Sequence, residues 1–283
     1  MAKILIAGCG DIGFRLAEIL TRRGHQVVAL RRKPPISGTG STVYRKADIT
    51  NSRELAQLDS DFDQIFFMPS PDNRNLLAYR AVYQTGLNNL LSRFATLSVR
   101  PQWFFVSSTS VYGQSKGEWV DEQSSAEPKT ETGKIIRQAE KSVQTDDIRH
   151  VIVRFSGIYG PGRERLLKMA AQTPVIQFNP PYFSNRIHQD DCAAVLAFLS
   201  ELGLAGRPLE NCYLASDDDP APLWSVHAWL TEQLKRPPPI QQEFPTAGHN
   251  QNKRCRNQRL KALGYRFMYP SYRDGYLPLV RGA

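Results

Sequence analysis

The stretch Lys3–Gly13, KILIAGCGDIG, decides the fold of this 283-residue chain. It begins with a short apolar run that predicts a buried strand, and the amphipathic pattern of Asp11–Arg23 then predicts a helix. Between them lies the pattern Gly-x-Gly-x-x-Gly, which in this context predicts a turn that binds the pyrophosphate of a dinucleotide. We expect Gly8 to allow the tight turn, Gly10 to leave room for the pyrophosphate, and Gly13 to let the helix pack closely on the strand. The free N–H groups at the helix N-terminus would face the phosphates.

Strands and helices alternate through the first 155 residues. After the first helix, the sequence predicts strands at Gln26–Leu30, Val43–Arg45, Gln64–Met68, Trp103–Val106 and His150–Arg154, and helices at Asn51–Leu58, Asn73–Leu97 and near 130–145. The strands are continuous apolar runs, as in a parallel sheet that is covered on both faces. We therefore predict an α/β fold with a Rossmann-type, doubly wound parallel sheet over residues 1–155.

The pattern changes after residue 155, where the elements become shorter and proline becomes more frequent. Two further helices are predicted, at Asp190–Leu202 and Leu223–Leu234. Residues 156–283 are therefore predicted to form a smaller α/β substrate lobe that is interleaved with the sheet domain.

The composition excludes several classes of protein. Hydrophobic residues make up 41% of the chain and charged residues 22%, which is ordinary for a globular protein. The longest apolar run, Cys192–Leu199, is far shorter than the ~20 residues of a membrane-spanning helix, so we expect no membrane span. Four cysteines lie far apart, without a Cys-x-x-Cys pair or a cysteine–histidine cluster, so we expect no metal site and a reducing, cytoplasmic location.

The chain carries a net charge of +9. Residues 241–283 hold eight basic and two acidic residues, so most of the excess lies in this segment. The segment is predicted to form either a basic face of the folded protein or a specific anion site. Nucleic-acid binding is a weaker alternative, because no nucleic-acid-binding motif accompanies the charge.

The residues after the second predicted strand indicate which dinucleotide is bound. NAD-binding sites usually place an acidic residue there to hold the ribose 2′-hydroxyl, whereas this chain has Arg31, Arg32 and Lys33. A guanidinium binds a 2′-phosphate through paired hydrogen bonds. We therefore predict NADP as the preferred cofactor, with NAD as the alternative. Asp48 follows the third strand and is predicted to contact the adenine edge, with a turn or helix cap as its alternative role.

Three later segments resemble motifs of the extended short-chain dehydrogenases/reductases, a family that includes nucleotide-sugar epimerases and dehydratases. They are Phe104–Gly113 (FFVSSTSVYG), Arg154–Gly162 (RFSGIYGPG, in which Phe155 replaces the usual proline) and Asn185–Asp191 (NRIHQDD). The resemblance begins at residue 2 and extends to the region of residue 275. It implies an NAD(P)-binding protein that acts on a small substrate, nucleotide-linked or otherwise anionic.

The catalytic residues of the resembled family are a serine, a tyrosine and a lysine, the last two in a Tyr-x-x-x-Lys pattern on one helix. By position the serine corresponds to Ser108, but the tyrosine corresponds to Thr132 and the lysine to Ile136. Tyr83 stands where the family commonly has an asparagine, and Lys134 lies on a different helix face from the lysine position. The resemblance therefore implies an atypical active site, with Ser108 and Thr132 as the candidate catalytic residues.

The resemblance and the glycine turn together define the remaining site residues. The predicted cofactor-binding residues are Gly8, Gly10, Asp11, Ile12, Gly13, Arg31, Arg32, Asp48, Ile49, Pro69 and Ser107. The candidate substrate-facing residues are Tyr112, Tyr159, Arg163, Arg186 and His188. The two tyrosines and the histidine are candidates for a displaced acid or base, with packing or hydrogen bonding as the alternative role. The two arginines are candidates for holding an anionic substrate, against ordinary surface or helix-end roles.

Two functions remain open at this point. One is an NADP-dependent, epimerase-, dehydratase- or reductase-like enzyme in which water or a displaced tyrosine supplies the proton. The other is a dinucleotide-binding sensor or scaffold without turnover. The resemblance also implies a homodimer that pairs through Asn73–Leu97 and the helix near 135–145.

Overall fold

The apolar run Lys3–Ala7 forms the first strand in the computed structural model, which describes residues 1–34, 42–145, 148–243 and 251–282. The strands are β1 (Lys3–Ala7), β2 (Gln26–Arg31), β3 (Val43–Lys46), β4 (Gln64–Phe67), β5 (Gln102–Ser108), β6 (Glu118–Val120), β7 (His150–Phe155), β8 (Gly157–Tyr159), β9 (Val175–Asn179), β10 (Phe183–Ser184), β11 (Arg186–His188), β12 (Cys212–Ala215), β13 (Ala221–Pro222), β14 (Ile240–Glu243) and β15 (Lys253–Cys255). The helices are α1 (Asp11–Arg22), α2 (Ser52–Leu55), α3 (Leu76–Arg80), α4 (Leu87–Phe94), α5 (Glu131–Val143), α6 (Arg165–Ala170), α7 (Gln189–Leu204), α8 (Leu223–Gln233), α9 (Gln258–Ala262) and α10 (Tyr272–Arg281). A π-helical turn, Ala81–Gly86, lies between α3 and α4, and a 3₁₀ turn, Thr109–Val111, follows β5.

Seven strands form one sheet, in the order β12–β7–β5–β4–β1–β2–β3. The pairs of β1 with β2 and β4, of β2 with β3 and of β4 with β5 are parallel. Ala7 at the end of β1 pairs with Leu30 of β2 and Phe67 of β4, so three strand ends meet at one edge of the sheet. This order is that of a Rossmann-type sheet, and the predicted doubly wound parallel fold is confirmed.

The central strands are buried on both faces. Ile4–Ala7 are fully buried. The ring of Phe66 stacks on Phe104 with 4.6 Å between centroids, and the ring of Phe67 stacks on Phe105 with 5.5 Å. Burial of both faces explains why these strands are unbroken apolar runs in the sequence rather than alternating ones.

Two units make up the described chain. Unit 1 consists of Met1–Val111, Thr130–Arg154 and Ala193–Tyr213, and unit 2 consists of Tyr112–Lys129, Phe155–Cys192 and Leu214–Ala283. The sequence predicts a division at residue 155, and the structure differs from it at two segments. Residues 112–129 belong to unit 2 and residues 193–213 belong to unit 1. The chain therefore passes between the two units more than once.

The stretch predicted as one long helix over Asn73–Leu97 is helical without a gap from Leu76 to Phe94, a few residues shorter at each end than predicted. The helical region begins at Leu76, where the side chain of Asn75 accepts a hydrogen bond from the Ala78 N–H. It contains a π-helical turn, which ends at Gly86. A Cβ on Gly86 would lie 2.6 Å from Cδ1 of Ile49, so a larger residue here would displace the Ile49 side chain. Apolar spacing does not reveal such a local widening of a helix.

Unit 2 has a hydrophobic core of its own. Its buried members are Tyr159, Leu166, Leu167, Ala170, Ala221, Val226, Leu230, Tyr272 and Tyr276. The rings of Tyr159 and Tyr276 stack with 4.5 Å between centroids. Gly275 makes this arrangement possible, since a Cβ there would lie 1.9 Å from the Tyr159 hydroxyl oxygen.

Two kinds of feature are absent from the part of the chain that the structure describes. Within residues 1–34, 42–145, 148–243 and 251–282, no helix has both the length and the apolar surface needed to cross a bilayer. The same ranges contain no group of three or more His, Cys, Asp or Glu residues placed to hold a metal ion. The four cysteines, Cys9, Cys192, Cys212 and Cys255, are free thiols in the core.

Candidate cofactor and active site

The turn after β1 has the geometry of a phosphate-binding loop. Gly8 has a φ of +90°, and a Cβ on it would lie 2.3 Å from the Pro69 Cα. Only glycine fits a position with this φ and this close a backbone neighbour. Pro69 follows β4, so the predicted site residues Gly8 and Pro69 lie side by side at the ends of adjacent strands.

The other two glycines of the pattern differ in their surroundings. A Cβ on Gly13 would lie 3.3 Å from the Gly8 carbonyl oxygen and 3.4 Å from Cγ2 of Ile6, so this glycine lets α1 pack against β1. Gly10 is exposed, precedes α1, and has no described atom within 4 Å of its Cβ direction. The space over Gly10 therefore fits a pyrophosphate, which the N–H groups of the first turn of α1 would hold.

The first two residues of α1 differ in burial. Asp11 is exposed, whereas Ile12 is buried in the core.

Cys9, between the first two glycines, is also buried. Burial raises the pKa of its thiol to about 11, against a smaller opposing effect of the Arg31 charge, so the thiol stays protonated at neutral pH.

Arg31 and Arg32 lie beside this turn. The Cys9 N–H donates to the Leu30 carbonyl, and the two arginines follow directly, both with exposed side chains. Arg32 makes a bidentate pair with the carboxylate of Asp72, with N–O distances of 2.6 and 2.5 Å. The Arg32 guanidinium holds the pKa of the Asp72 carboxyl below its ordinary value. A dinucleotide with a 2′-phosphate would meet two arginines here, one of which already has an anionic partner.

Asp48 organises the loop after β3. Its Oδ1 accepts hydrogen bonds from the N–H and the hydroxyl of Thr50, and its own N–H donates to Glu54. Ile49 is buried, and its carbonyl accepts a hydrogen bond from the side chain of Asn89. The loop is thus held in place by residues of α2 and α4, and the Asp48 carboxylate stabilises the turn, which was the alternative to the predicted contact with adenine.

Ser107 belongs to a buried charged cluster in unit 1. Its hydroxyl donates to Glu140 at 2.6 Å, and Glu140 is fully buried. Arg154 donates from Nε and Nη2 to the same carboxylate at 2.8 and 2.7 Å, and Arg137 donates from Nη1 at 2.7 Å. This cluster joins β5, α5 and β7, and it occupies the side chain of Ser107.

The other candidate serine is placed differently. Ser108, the last residue of β5, is partly exposed, and its oxygen accepts a hydrogen bond from the Ser110 N–H at 3.1 Å. The hydroxyl proton of Ser108 therefore remains available to a bound molecule.

The N-terminal part of α5 carries the positions that correspond to the family tyrosine and lysine. Thr132 is partly exposed, and Ile136 is buried with 5% of its surface accessible. Lys134 is exposed and forms an ion pair with Glu131 at 2.6 Å. This pair directs Lys134 away from the buried face that contains Ile136.

Tyr83, at the position of the family asparagine, lies in the π-helical turn among aromatic rings. Its ring contacts those of Phe67, Tyr79 and Phe105, with centroid distances of 6.4, 5.9 and 6.3 Å. Burial raises the pKa of the Tyr83 phenol, which therefore stays protonated.

The two candidate tyrosines of unit 2 are buried, and both hydroxyls bind backbone carbonyls. Tyr112 donates to the Asp121 carbonyl at 2.7 Å, and Tyr159 donates to the Ser271 carbonyl at 3.3 Å. Burial raises the pKa of Tyr159, and the neighbouring Asp217 raises it further.

The remaining candidates of unit 2 have contrasting environments. Arg163 is exposed, whereas His188 is buried at 3% accessibility. Nδ1 of His188 accepts a hydrogen bond from the Asp190 N–H at 3.2 Å. The centroids of the His188 and Tyr269 rings are 3.9 Å apart. Arg186 is partly exposed and donates to the Ser184 hydroxyl.

Sequence reasoning did not identify three buried ionisable residues of unit 2. Asp191 accepts hydrogen bonds from the Tyr265 hydroxyl and from the Met268 and Tyr269 N–H groups. Asp217 and His227 are also almost completely buried. Asp191 ends a recognised motif, but Asp217 lies in an acidic loop and His227 in an apolar helix, and neither setting distinguishes a site residue.

Comparison with known proteins agrees with this geometry. Residues 4–177, more than half of the chain, match the family model described as the NAD dependent epimerase/dehydratase family. The chain belongs to this family. The family assignment agrees with the parallel sheet and with the glycine turn at its edge.

Three individual proteins illustrate the similarity. A candidate NAD-dependent epimerase/dehydratase from Methylobacillus flagellatus is 34% identical, with 99% of this chain and 98% of that chain covered and a TM-score of 0.80. Protein YeeZ of Escherichia coli K12 is 26% identical over 222 residues, which cover 75% of this chain and 78% of YeeZ. The human epimerase family protein SDR39U1 (isoform 2), solved with NADPH, shares the fold at 19% identity, with 99% and 100% of the two chains covered and a TM-score of 0.76.

Proposed function

We propose that this protein binds NADP(H) at the turn between β1 and α1. The observation that carries the proposal is the position of Arg31 and Arg32 at the end of β2, beside the open space over Gly10. Two guanidiniums favour a 2′-phosphate, which a carboxylate at this strand end would repel. Proteins of the same fold are solved with NADPH or with NAD, so the choice of cofactor rests on the two arginines.

We further propose that the protein acts on a small anionic substrate without the tyrosine–lysine pair of the family. The nicotinamide supplies hydride transfer when it is bound. Ser108 offers a hydroxyl proton to the substrate, and Thr132 stands at the tyrosine position. A threonine hydroxyl is a much weaker acid than a phenol, whose pKa is about 10. We therefore expect water, and not a phenol, to transfer the proton. A positioned general acid or base commonly raises the rate of such a step ~10²–10⁴-fold.

Fluorescence titration with NADPH and NADH tests the cofactor proposal. The wild-type protein is expected to bind NADPH more tightly than NADH. Arg31→Ala and Arg32→Ala should each weaken NADPH binding and leave NADH binding nearly unchanged, because NADH has no 2′-phosphate. Exposed Lys168→Ala, which removes one positive charge from unit 2, is the control. Equal affinities in the wild-type protein, or a preference for NADH, would overturn the proposal.

A second candidate function is a dinucleotide-binding sensor without turnover. It is favoured by the burial of Ile136 and by the ion pair that directs Lys134 away from it. A screen of carbonyl substrates, followed at the nicotinamide absorbance, separates the two candidates. Turnover by the wild-type protein excludes the sensor. NADPH binding without turnover of any substrate supports it.

A further inference from the structure

A group of buried ionisable side chains surrounds Arg186 in unit 2. Arg186 comes from β11, Asp217 from the loop after β12, His227 from α8 and Tyr276 from α10. The last three are each at most 1% accessible, whereas Arg186 is partly exposed. The side chain of Arg186 is hydrogen-bonded to Tyr276 and donates to the Ser184 hydroxyl. We call Arg186, Asp217, His227 and Tyr276 the Arg186 cluster.

Several polar atoms of the Arg186 cluster have no hydrogen-bond partner among the described residues. They are Nε of Arg186, both ring nitrogens of His227, and Oδ2 of Asp217. Buried polar groups in native proteins are nearly always hydrogen-bonded, because an unpaired one loses its hydration without compensation. A fully buried imidazole with two unpaired nitrogens therefore indicates that a polar molecule completes the cluster.

The protonation states of the cluster indicate the chemistry of that molecule. Burial, together with the Arg186 charge, lowers the pKa of His227 to about 4, so the ring is neutral at pH 7 and has one N–H to donate. Burial raises the pKa of Asp217 well above its ordinary value, against smaller opposing effects of the Asp219 N–H and the Arg186 charge, and so favours the protonated, donating form. Burial lowers the pKa of the Arg186 guanidinium, whose ordinary value is so high that the group stays positively charged at pH 7. Donors thus outnumber acceptors around a cationic centre.

We propose that the Arg186 cluster binds the oxyanion group of a small molecule, a carboxylate or a phosphate, with Arg186 as the charge partner and His227 as a hydrogen-bond donor. Arg186 is the one member of the cluster with solvent-accessible surface, although its Nε is buried, so a small molecule would approach the cluster along this residue. This inference rests on the proposed function only in taking that molecule to be the substrate. It assigns the anionic group to Arg186 and His227, and not to the exposed Arg163.

Titration with two simple anions tests the site. Potassium phosphate and potassium succinate are added to the full chain at constant ionic strength, with chloride as the balancing ion. The thermal midpoint is followed together with the ¹⁵N-imidazole resonances of His227, assigned through the His227→Leu variant. A saturable shift of both signals is expected, and the anion with the lower Kd identifies the source as a phosphate or a carboxylate compound.

Variants separate specific binding from general salt effects. His227→Leu is expected to weaken the preferred anion about tenfold, as expected for loss of one buried hydrogen bond, and His227→Gln, which keeps a donor, less so. Arg186→Met should weaken it more. Lys168→Met removes the same charge from an exposed position and should change nothing. Because Arg186→Met removes a buried hydrogen-bonding group and could prevent folding, the two His227 variants are sufficient for the test.

Two results would overturn the inference. One is the absence of a saturable response to both anions in the wild-type protein, which would mean that only water bridges Arg186 and Asp217. The other is an equal response in the wild-type protein and in His227→Leu. NADPH affinity is measured on the same samples, because the cofactor turn belongs to unit 1. Loss of anion binding with intact NADPH binding contradicts this inference alone, and the reverse result contradicts the cofactor proposal alone.

Discussion

Arg32 donates two hydrogen bonds to the carboxylate of Asp72, at 2.6 and 2.5 Å. Both side chains are exposed, at 55% and 60% of their surface, so this pair contributes little to the stability of the fold. Its importance is for cofactor choice. Arg32 is one of the two guanidiniums proposed to bind a 2′-phosphate, and Asp72 competes with that phosphate for the same N–H groups.

The variant Asp72→Asn is therefore expected to bind NADPH about threefold to fivefold more tightly, because Arg32 is released and a negative charge is removed. NADH affinity should change little, since NADH lacks the 2′-phosphate. Fluorescence titration measures both. Asp61→Asn, which removes a similar exposed carboxylate paired with Lys3, is the matched control. An unchanged or weaker NADPH affinity in Asp72→Asn would show that Arg32 does not bind the phosphate.

Substitutions at two glycines of the turn should affect different properties: protein stability at Gly8 and cofactor binding at Gly10. Gly8→Ala should destabilise the protein by about 2 kcal/mol or more, because φ is +90° and the new Cβ would lie 2.3 Å from Pro69. Gly10→Val should leave stability nearly unchanged, because no described atom lies within 4 Å of the position that its Cβ would take. It should abolish NADPH binding, because its side chain would fill the pyrophosphate space. Urea unfolding and cofactor titration measure the two effects. A Gly10→Val protein that binds NADPH normally would place the phosphates elsewhere.

The cofactor turn could be predicted from the sequence because its determinants are local. Gly8, Gly10 and Gly13 lie within six residues. Gly8 has a φ that favours glycine, Gly13 lets α1 pack against β1, and Gly10 leaves space for a ligand. The parallel sheet was predictable for a related reason, since strands buried on both faces are unbroken apolar runs.

Arg186 could be predicted as an anion-binding candidate, because it lies in the Asn185–Asp191 motif. Its partners Asp217, His227 and Tyr276 could not, because they are far apart in the chain and have no local signature. His227 lies in a helix with apolar neighbours, and its lack of partners depends on what α8 packs against. The pairing of β6 with β15 escaped prediction for the same reason, since Glu118 and Lys253 are brought together only by the tertiary structure. Spacing along the chain carries no information about contacts of this kind.

The buried carboxylate of Glu140 leads to a stability prediction. Glu140→Gln should destabilise the protein by about 3 kcal/mol, because the guanidinium of Arg154 then loses its charged partner in the core. Glu131→Gln, on the same helix but in the exposed pair with Lys134, should change stability by less than about 1 kcal/mol. Urea unfolding midpoints measure both. Similar small effects in the two variants would mean that the Glu140 cluster contributes no more than a surface pair.

Replacing the two family positions tests how the active site departs from the family. We expect NADPH-dependent carbonyl reduction to increase in the double variant Thr132→Tyr/Ile136→Lys and in neither single variant, because the phenol needs the neighbouring cation to lower its pKa. Ile136→Lys alone should lower the thermal midpoint, since Ile136 is 5% accessible. Absorbance at the nicotinamide band and thermal unfolding measure these effects. Equal and measurable rates in the wild-type and double-variant proteins would show that the present site already has an effective acid.

The depressed pKa of His227 predicts how stability depends on pH. Its pKa is about 4 in the folded protein and 6.5 in an unfolded chain, so the unfolded state binds a proton first as the pH falls. This group's contribution to stability is complete above pH 6.5 and is lost on acidification towards pH 4. Between pH 7 and pH 5 the loss is about 2 kcal/mol. Wild-type protein should therefore lose that much more unfolding free energy than His227→Leu over the same interval, as measured by urea unfolding. Asp217 and Arg186 are present in both proteins, so their own contributions largely cancel in the comparison. Parallel pH profiles would show that His227 is not held neutral in the folded state.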